Sequence, residues 1–272
     1  MPFNIKDFLK EDIGEGDRTT EWIVPENHRG KAKIFAKEDG VIAGHRYARE
    51  VFKALDPELN YKELKRDGEE VKGGEIIAEI EGKTRGILTG ERLALNILQR
   101  LSGIATLTRK YVKAVEGTKT KILDTRKTTP GLREMEKYAV KVGGGENHRF
   151  TLSEMILIKE NHITVAGSIR EAIRKVKGKG LKVEVEVKNM EELKEAFEEG
   201  VDRILLDNWE IDSVKEAVDF VKGRIPLEAS GNMTIERAKK FAEAGIDYIS
   251  VGALTHSFKS LDLSLMLEGE QK

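Results

Sequence analysis

Six short apolar runs in the second two-thirds of the chain each end in a polar or ionisable residue. They are 121–125 before Arg126 and Lys127, 155–158 before Lys159, 183–187 around Glu186, 204–206 before Asp207, 226–229 before Ser230, and 248–251 before Gly252. After a first gap of about 34 residues the runs recur at intervals of about 20 to 28 residues, room for one crossover helix each. This spacing predicts a parallel βα barrel, in which strand ends converge on one site at the C-terminal rim. Helical periodicity fills the intervals at 168–177, 190–199, 212–222 and 234–244.

The pattern changes near residue 105. Strand-like stretches punctuated by glycine at 30–44 and 75–81, with a helical stretch at 47–55 between them, predict a small α+β sandwich. From Glu91 to about Ala114, Leu93, Ile97, Leu101, Ile104 and Leu107 recur at helical spacing, giving a long helix that can link sandwich and barrel. Near the C-terminus Leu261, Leu263, Leu265 and Leu267 alternate with Asp262, Ser264, Met266 and Glu268. That period of two predicts a strand that leaves the barrel and joins the N-terminal sheet. The expected domains are 1–104 together with the strand 261–272, and a catalytic barrel over 105–260.

Composition narrows the classes. The 272 residues carry a net charge of −1 with 35% charged residues, so nothing in the whole chain points to nucleic acid or a membrane surface. Any basic site must be local. The absence of cysteine excludes disulfides, thiolate nucleophiles and zinc-thiolate sites, and agrees with a reducing interior. No apolar core of signal-peptide length opens the sequence and no window approaches 18 apolar residues. The expectation is a soluble cytoplasmic protein.

The richest segment is Asp124-Thr125-Arg126-Lys127-Thr128-Thr129-Pro130-Gly131. Two adjacent cations, three hydroxyls and a turn directly after a buried strand make an anion cradle, with Arg126 as planar fork and Lys127 as movable point charge. Gly143-Gly144-Gly145-Glu146-Asn147-His148-Arg149 permits close backbone approach and, with Lys159, adds three further cationic or donor groups. Glu186 and Asp207 end the next two strands, where an unpaired buried carboxylate would be costly. They either pair with the lysines or hold a hard cation such as Mg²⁺ through oxygen. Ser230-Gly231-Asn232 and the turn of Ser250, Val251 and Gly252 supply backbone N–H groups at the late strands, where such barrels commonly bind phosphate.

These segments form an ordered set. Together with Arg133, Leu157-Ile158-Lys159-Glu160-Asn161-His162, Val183-Glu184-Val185-Glu186-Val187, Leu206-Asp207-Asn208, Glu11-Asp12-Ile13-Gly14-Glu15-Gly16-Asp17-Arg18-Thr19-Thr20 and Gly90-Glu91-Arg92-Leu93-Ala94-Leu95-Asn96, the chain resembles quinolinate phosphoribosyltransferase, also called nicotinate-nucleotide pyrophosphorylase (carboxylating), over nearly its whole length. The resemblance implies an α/β fold: an N-terminal open α/β sandwich and a C-terminal incomplete βα barrel of about six to seven parallel strands. It implies transfer of a phosphoribosyl group from phosphoribosyl pyrophosphate (PRPP) to quinolinate with decarboxylation, in NAD biosynthesis.

By the same resemblance Arg126, His148 and Arg149 clamp the pyridine dicarboxylate, joined by Arg92 from the partner's N-terminal domain across a homodimer interface. Lys127 and Lys159 lie between the substrates. Glu186 and Asp207 hold the ribose hydroxyls and the Mg²⁺ of PRPP, and Ser230, Gly231, Asn232, Ser250, Val251 and Gly252 take the 5′-phosphate. Assembly of dimers into a hexamer stays open. One departure is Glu160, where an Asp is more familiar, and the usual phosphoribosyltransferase fingerprint of two adjacent acids before a Thr-Gly loop is absent. Three other readings remain: a molybdenum-transport-associated relative of the same fold, a biotinyl-like carrier built on 67–82 with Lys83 near its tip, and a barrel aldolase using Lys159 as a Schiff base.

Overall fold

The computed structural model describes residues 4–269. They fall into two compact units, one holding the chain up to Arg109 with Thr129–Gly144 and the chain from Phe258, the other holding Lys110–Thr128 and Gly145–Ser257. Among the described residues no helix is long and apolar enough to cross a membrane.

In the first unit β1 (Arg29–Ala36), β2 (Gly40–Val41), β3 (Asn60–Glu63), β4 (Glu70–Val71) and β5 (Ile76–Lys83) pair antiparallel, β1 with β5, β5 with β3, and β2 with β4 in a separate ribbon. Alternation along β1 buries Ala32, Ile34 and Ala36. The helix His45–Leu55 starts two residues before the predicted 47 because Asp67 accepts the N–H groups of Gly44 at 3.0 Å and His45 at 3.3 Å, satisfying donors the first turn leaves free. Its Phe52 stacks on Tyr61 of β3, ring centroids 6.0 Å apart.

β5 passes directly into the 31-residue helix Thr84–Ala114, which thus begins seven residues before the predicted Glu91. Lys83 is the last residue of β5, so no hairpin tip presents it as a carrier lysine would require. Within this helix Gly103 lies against the backbone of the C-terminal segment: an added Cβ would stand 2.3 Å from the Lys259 carbonyl oxygen and 2.9 Å from Ser260 Cα. Alanine is ordinarily better than glycine in a helix by about 1 kcal/mol, but overpacking typically costs about 1 to 3 kcal/mol, and here the neighbour is backbone. Gly103→Ala is therefore expected to lower the thermal unfolding midpoint. A higher midpoint would show that the 259–260 segment can move aside.

The second unit contains β6 (Lys121–Leu123), β7 (Ile156–Ile158), β8 (Val183–Val187), β9 (Arg203–Asp207), β10 (Leu227–Ser230) and β11 (Tyr248–Ser250), all parallel, in the order β6-β11-β10-β9-β8-β7. A further parallel bridge joins Leu123 to Glu146 beside β6. β6 and β7 are the two ends of the sheet order, which leaves the barrel incomplete as expected. Helices Ile169–Val176, Met190–Glu199, Ile211–Val221 and Ile235–Glu243 fill the predicted intervals, three of them started by Ser168, Asn189 and Thr234, whose side chains accept the N–H three residues on.

The long first gap has a structural reason. Helix Arg133–Val142 lies between β6 and β7 in sequence but groups with the first unit, where buried Glu136 accepts Arg100 Nε at 3.0 Å and the Thr129 N–H at 3.0 Å. Gly143 sits 2.6 Å, measured from an ideal Cβ, from both the Ala105 carbonyl oxygen and Thr108 Cβ. The expected cut at 104/105 therefore gives way to a division in which 105–109, 129–144 and 258–260 go with the first unit. Finally β12 (Leu263–Leu267) pairs antiparallel with β1, Ile34 opposite Leu265, completing the order β12-β1-β5-β3. Residues 270–272 of the predicted strand, and 1–3, lie outside the described residues.

Candidate active site

The C-terminal ends of the parallel strands surround a cavity of about 570 Å³ in the second unit. Arg126, Lys127, His148, Arg149, Lys159, Glu186, Asp207, Ser230, Gly231, Asn232 and Ser250 all line it, together with Thr125, Leu157, Leu205, Asn208 and Glu228. Most of the residues singled out in the sequence thus meet in one place.

The cations are held differently. Arg149 donates from Nη1 to the Met155 carbonyl at 2.7 Å, and burial, then the neighbouring Arg126 cation, push its pKa below the ordinary guanidinium value. Arg126 Nε is buried and has no hydrogen-bond partner among the described residues. Lys127 has its N–H on Thr125 Oγ1 at 3.0 Å and its carbonyl on the Thr255 hydroxyl at 2.9 Å, which fixes the backbone and leaves the ammonium to move. Lys159 donates to Glu186 Oε2 at 2.8 Å, and Asp207 accepts from Asn208 Nδ2 at 2.9 Å. Of the two roles left open for the carboxylates, Glu186 takes the lysine partner.

His148 Nδ1 accepts the Arg149 N–H at 2.8 Å, so the proton is assigned to Nε2, which donates to Glu184 Oε2 at 3.0 Å. Both ring nitrogens are thus engaged within the protein, and the ring lines the cavity while bridging the Arg149 backbone and the Glu184 carboxylate.

Beneath the cavity lies a polar layer that sequence reasoning missed. Glu184 and Glu228 are fully or almost fully buried, Glu228 pairs with Arg203 at 2.7 Å, and the Arg203 guanidinium lies 4.1 Å from the Tyr248 ring centroid. Burial first, then the Glu184 charge, push the Glu228 carboxyl up to about 7, and burial also raises Glu184. The available signal was alternation: Glu184 and Glu186 interrupt three buried valines, and Glu228 sits between buried Leu227 and Ala229, so each must project to the opposite face of its strand.

Three expected residues fall outside the cavity lining. Val251 is buried and its N–H donates to the Leu123 carbonyl at 2.9 Å, so it is already engaged in the sheet. Gly252 precedes the short helix Ala253–His256 and packs close to the Lys127 side chain. Arg92 lies exposed on the long helix of the first unit. Because that helix starts at Thr84, Arg92 is well inside it.

As for a metal, the one group of three or more donor side chains close enough together among the described residues is His148, Glu184 and Glu228, within 4.8 Å, and its members are already paired, Glu228 with Arg203 and Glu184 with His148. Glu186 and Asp207 offer carboxylate oxygens at the cavity wall but no third side-chain ligand. A hard cation there would need its remaining oxygen ligands from a bound molecule and water.

The profile of the quinolinate phosphoribosyl transferase N-terminal domain matches residues 17–102, and that of the C-terminal domain matches residues 104–266. The chain belongs to this family. Among family members it is 46% identical over 261 residues to a probable nicotinate-nucleotide pyrophosphorylase (carboxylating) of Bacillus subtilis, covering 95% of this chain and 90% of that one. It is 41% identical over 288 residues to the chloroplastic nicotinate-nucleotide pyrophosphorylase (carboxylating) of Arabidopsis thaliana, covering 98% and 82%. The solved structure of the nicotinate-nucleotide pyrophosphorylase from Francisella tularensis superposes with a TM-score of 0.93 at 42% identity, covering 97% and 94%.

Proposed function

We propose that this chain is an enzyme that transfers the phosphoribosyl group of PRPP to the ring nitrogen of quinolinate and releases carbon dioxide, giving nicotinate mononucleotide and pyrophosphate for NAD biosynthesis. The observation that carries the reading is a single cavity lined by two arginines and two lysines and also by Glu186, Asp207 and the 230–232 turn, with Lys159 and Glu186 joining the two groups. A flat dianion and a phosphorylated sugar need those two kinds of surface side by side.

Arg126 and Arg149 take the two carboxylates of quinolinate, with His148 and the polar layer beneath holding Arg149 in place. Glu186 and Asp207 hold the ribose hydroxyls, and Ser230, Gly231, Asn232 and Ser250 face the 5′-phosphate. The pyridine nitrogen lone pair forms the bond to the anomeric carbon as the bond to pyrophosphate breaks, through an oxocarbenium-like transition state. Charge then grows on the departing diphosphate, where Lys127 and Lys159 stabilise the transition state more than the ground state. Mg²⁺ on Glu186 and Asp207 would supply further neutralisation of that charge. The carbon–carboxylate bond then breaks with its electron pair left on the adjacent ring carbon, where the cationic ring nitrogen stabilises it; carbon dioxide leaves, and that carbon takes a proton. Lys159 acts here as an ammonium on Glu186, not as the amine of a Schiff base.

Arg92 completes the clamp from the other subunit of a homodimer, and the enzyme works in the cytoplasm. Incubation with quinolinate, PRPP and Mg²⁺ is expected to give carbon dioxide and nicotinate mononucleotide in equal amounts. Product formation that does not depend on quinolinate, or none at all, would overturn the assignment. Sedimentation of the wild type as a monomer would remove Arg92 from it.

A further inference from the structure

We propose that Asn208, a residue with no assigned role, is the positioning residue that locks Asp207 to the 230–232 turn, so that the ribose and phosphate halves of the PRPP site form one rigid piece. The inference rests on the functional reading above. Three non-glycine residues have positive φ among those described: Asn208 at 58°, Asn232 at 42° and Lys222 at 49°. Lys222 is an ordinary helix end. The other two both line the cavity and face each other, with Asn232 Nδ2 3.5 Å from Asn208 Oδ1.

A left-handed backbone is uncommon at non-glycine residues, asparagine tolerating it best, and it persists where the surroundings hold it in place. Here they do. The Asn208 N–H donates to the Ser230 carbonyl at 2.9 Å; the next residue, buried Trp209, is anchored by its indole N–H on the Val187 carbonyl at 2.9 Å. After Asn232, the Met233 carbonyl accepts the Tyr111 hydroxyl at 2.8 Å. Between these anchors the Asn208 side chain lies across Gly231, whose ideal Cβ would stand 2.1 Å from Asn208 Oδ1 and whose φ is 98°. Its other end donates to Asp207 Oδ2 at 2.9 Å. One amide therefore touches the carboxylate and the turn at once. Asparagine is suited to the task because it tolerates the left-handed conformation and carries both donor and acceptor.

Asn208→Gly keeps the backbone conformation accessible and removes the bridge. Asn208→Asp keeps size and backbone tolerance but turns the donor to Asp207 into a second carboxylate. Both variants are expected to raise KM for PRPP at least tenfold while leaving KM for quinolinate within twofold and the thermal midpoint within a few degrees. Either variant alone decides if the other fails to fold. Wild-type turnover tests the functional reading separately. With that in hand, a PRPP KM within twofold of wild type, an equal rise in both KM values, or full rescue by Asn208→Asp overturns the positioning role.

Discussion

Arg126→Ala raises the quinolinate concentration for half-saturation at least tenfold. The guanidinium lines the cavity with its Nε buried and unpartnered among the described residues, a donor that only a ligand or water can satisfy. Arg149, fixed to the Met155 carbonyl, has its pKa depressed by burial and by the cation of Arg126, so the two charges press on each other until an anion arrives. A dianionic ring relieves that repulsion and meets both forks. Losing one bidentate contact in such a site removes roughly 1.5 to 3 kcal/mol, and tenfold corresponds to about 1.4 kcal/mol, so tenfold is the lower bound. Arg126→Lys keeps the charge but loses the planar fork, and it is expected to recover only part of the affinity. Steady-state kinetics with PRPP saturating measures this directly; an unchanged half-saturation value would take Arg126 out of the clamp.

What could be read in advance, and what could not, follows from how each residue earns its position. The six barrel strands and four of their helices were legible because buried parallel strands are continuous apolar runs and their helices carry clean 3.6-residue periodicity with Ser168, Asn189 and Thr234 at the starts. β3 was not, since only Tyr61 of Asn60–Glu63 is buried and β5 alone gives it a place. Helix Arg133–Val142 was hidden in the first gap: its core contacts are to Arg100 and to Ala105 and Thr108 near Gly143, far away in sequence. In the site, residues just past strand ends stood out by type and position. Glu184, Arg203 and Glu228 did not, because they sit within the apolar runs rather than just past the strand ends. Val251 was placed on the rim by sequence order, yet its N–H belongs to the sheet.

That polar layer makes the second large effect measurable. The Glu228 carboxyl faces Glu184, His148, Arg203 and Ser250, and burial together with the Glu184 charge outweighs the three partners that favour ionisation, raising its pKa from the ordinary 4.5 to about 7. The folded protein therefore holds a proton that the unfolded chain has released between about pH 4.5 and 7. Protons bound in the native state exceed those in the unfolded state across that window, so this group's contribution is greatest at low pH and declines as pH rises through it. One proton over the window amounts to a loss on the order of 3 kcal/mol. Glu228→Gln cannot titrate, so urea unfolding should show wild type losing stability relative to the variant as pH rises from 4.5 to 7. Parallel curves would place the proton elsewhere in the layer. Glu228→Leu fills the space but strips Arg203 of the carboxylate 2.7 Å away, leaving a largely buried cation with Glu184 alone near it. Removing one member of a buried pair typically costs about 3 to 5 kcal/mol, and the unfolding midpoint should fall accordingly at every pH above 7, where the lost carboxylate would have been ionised.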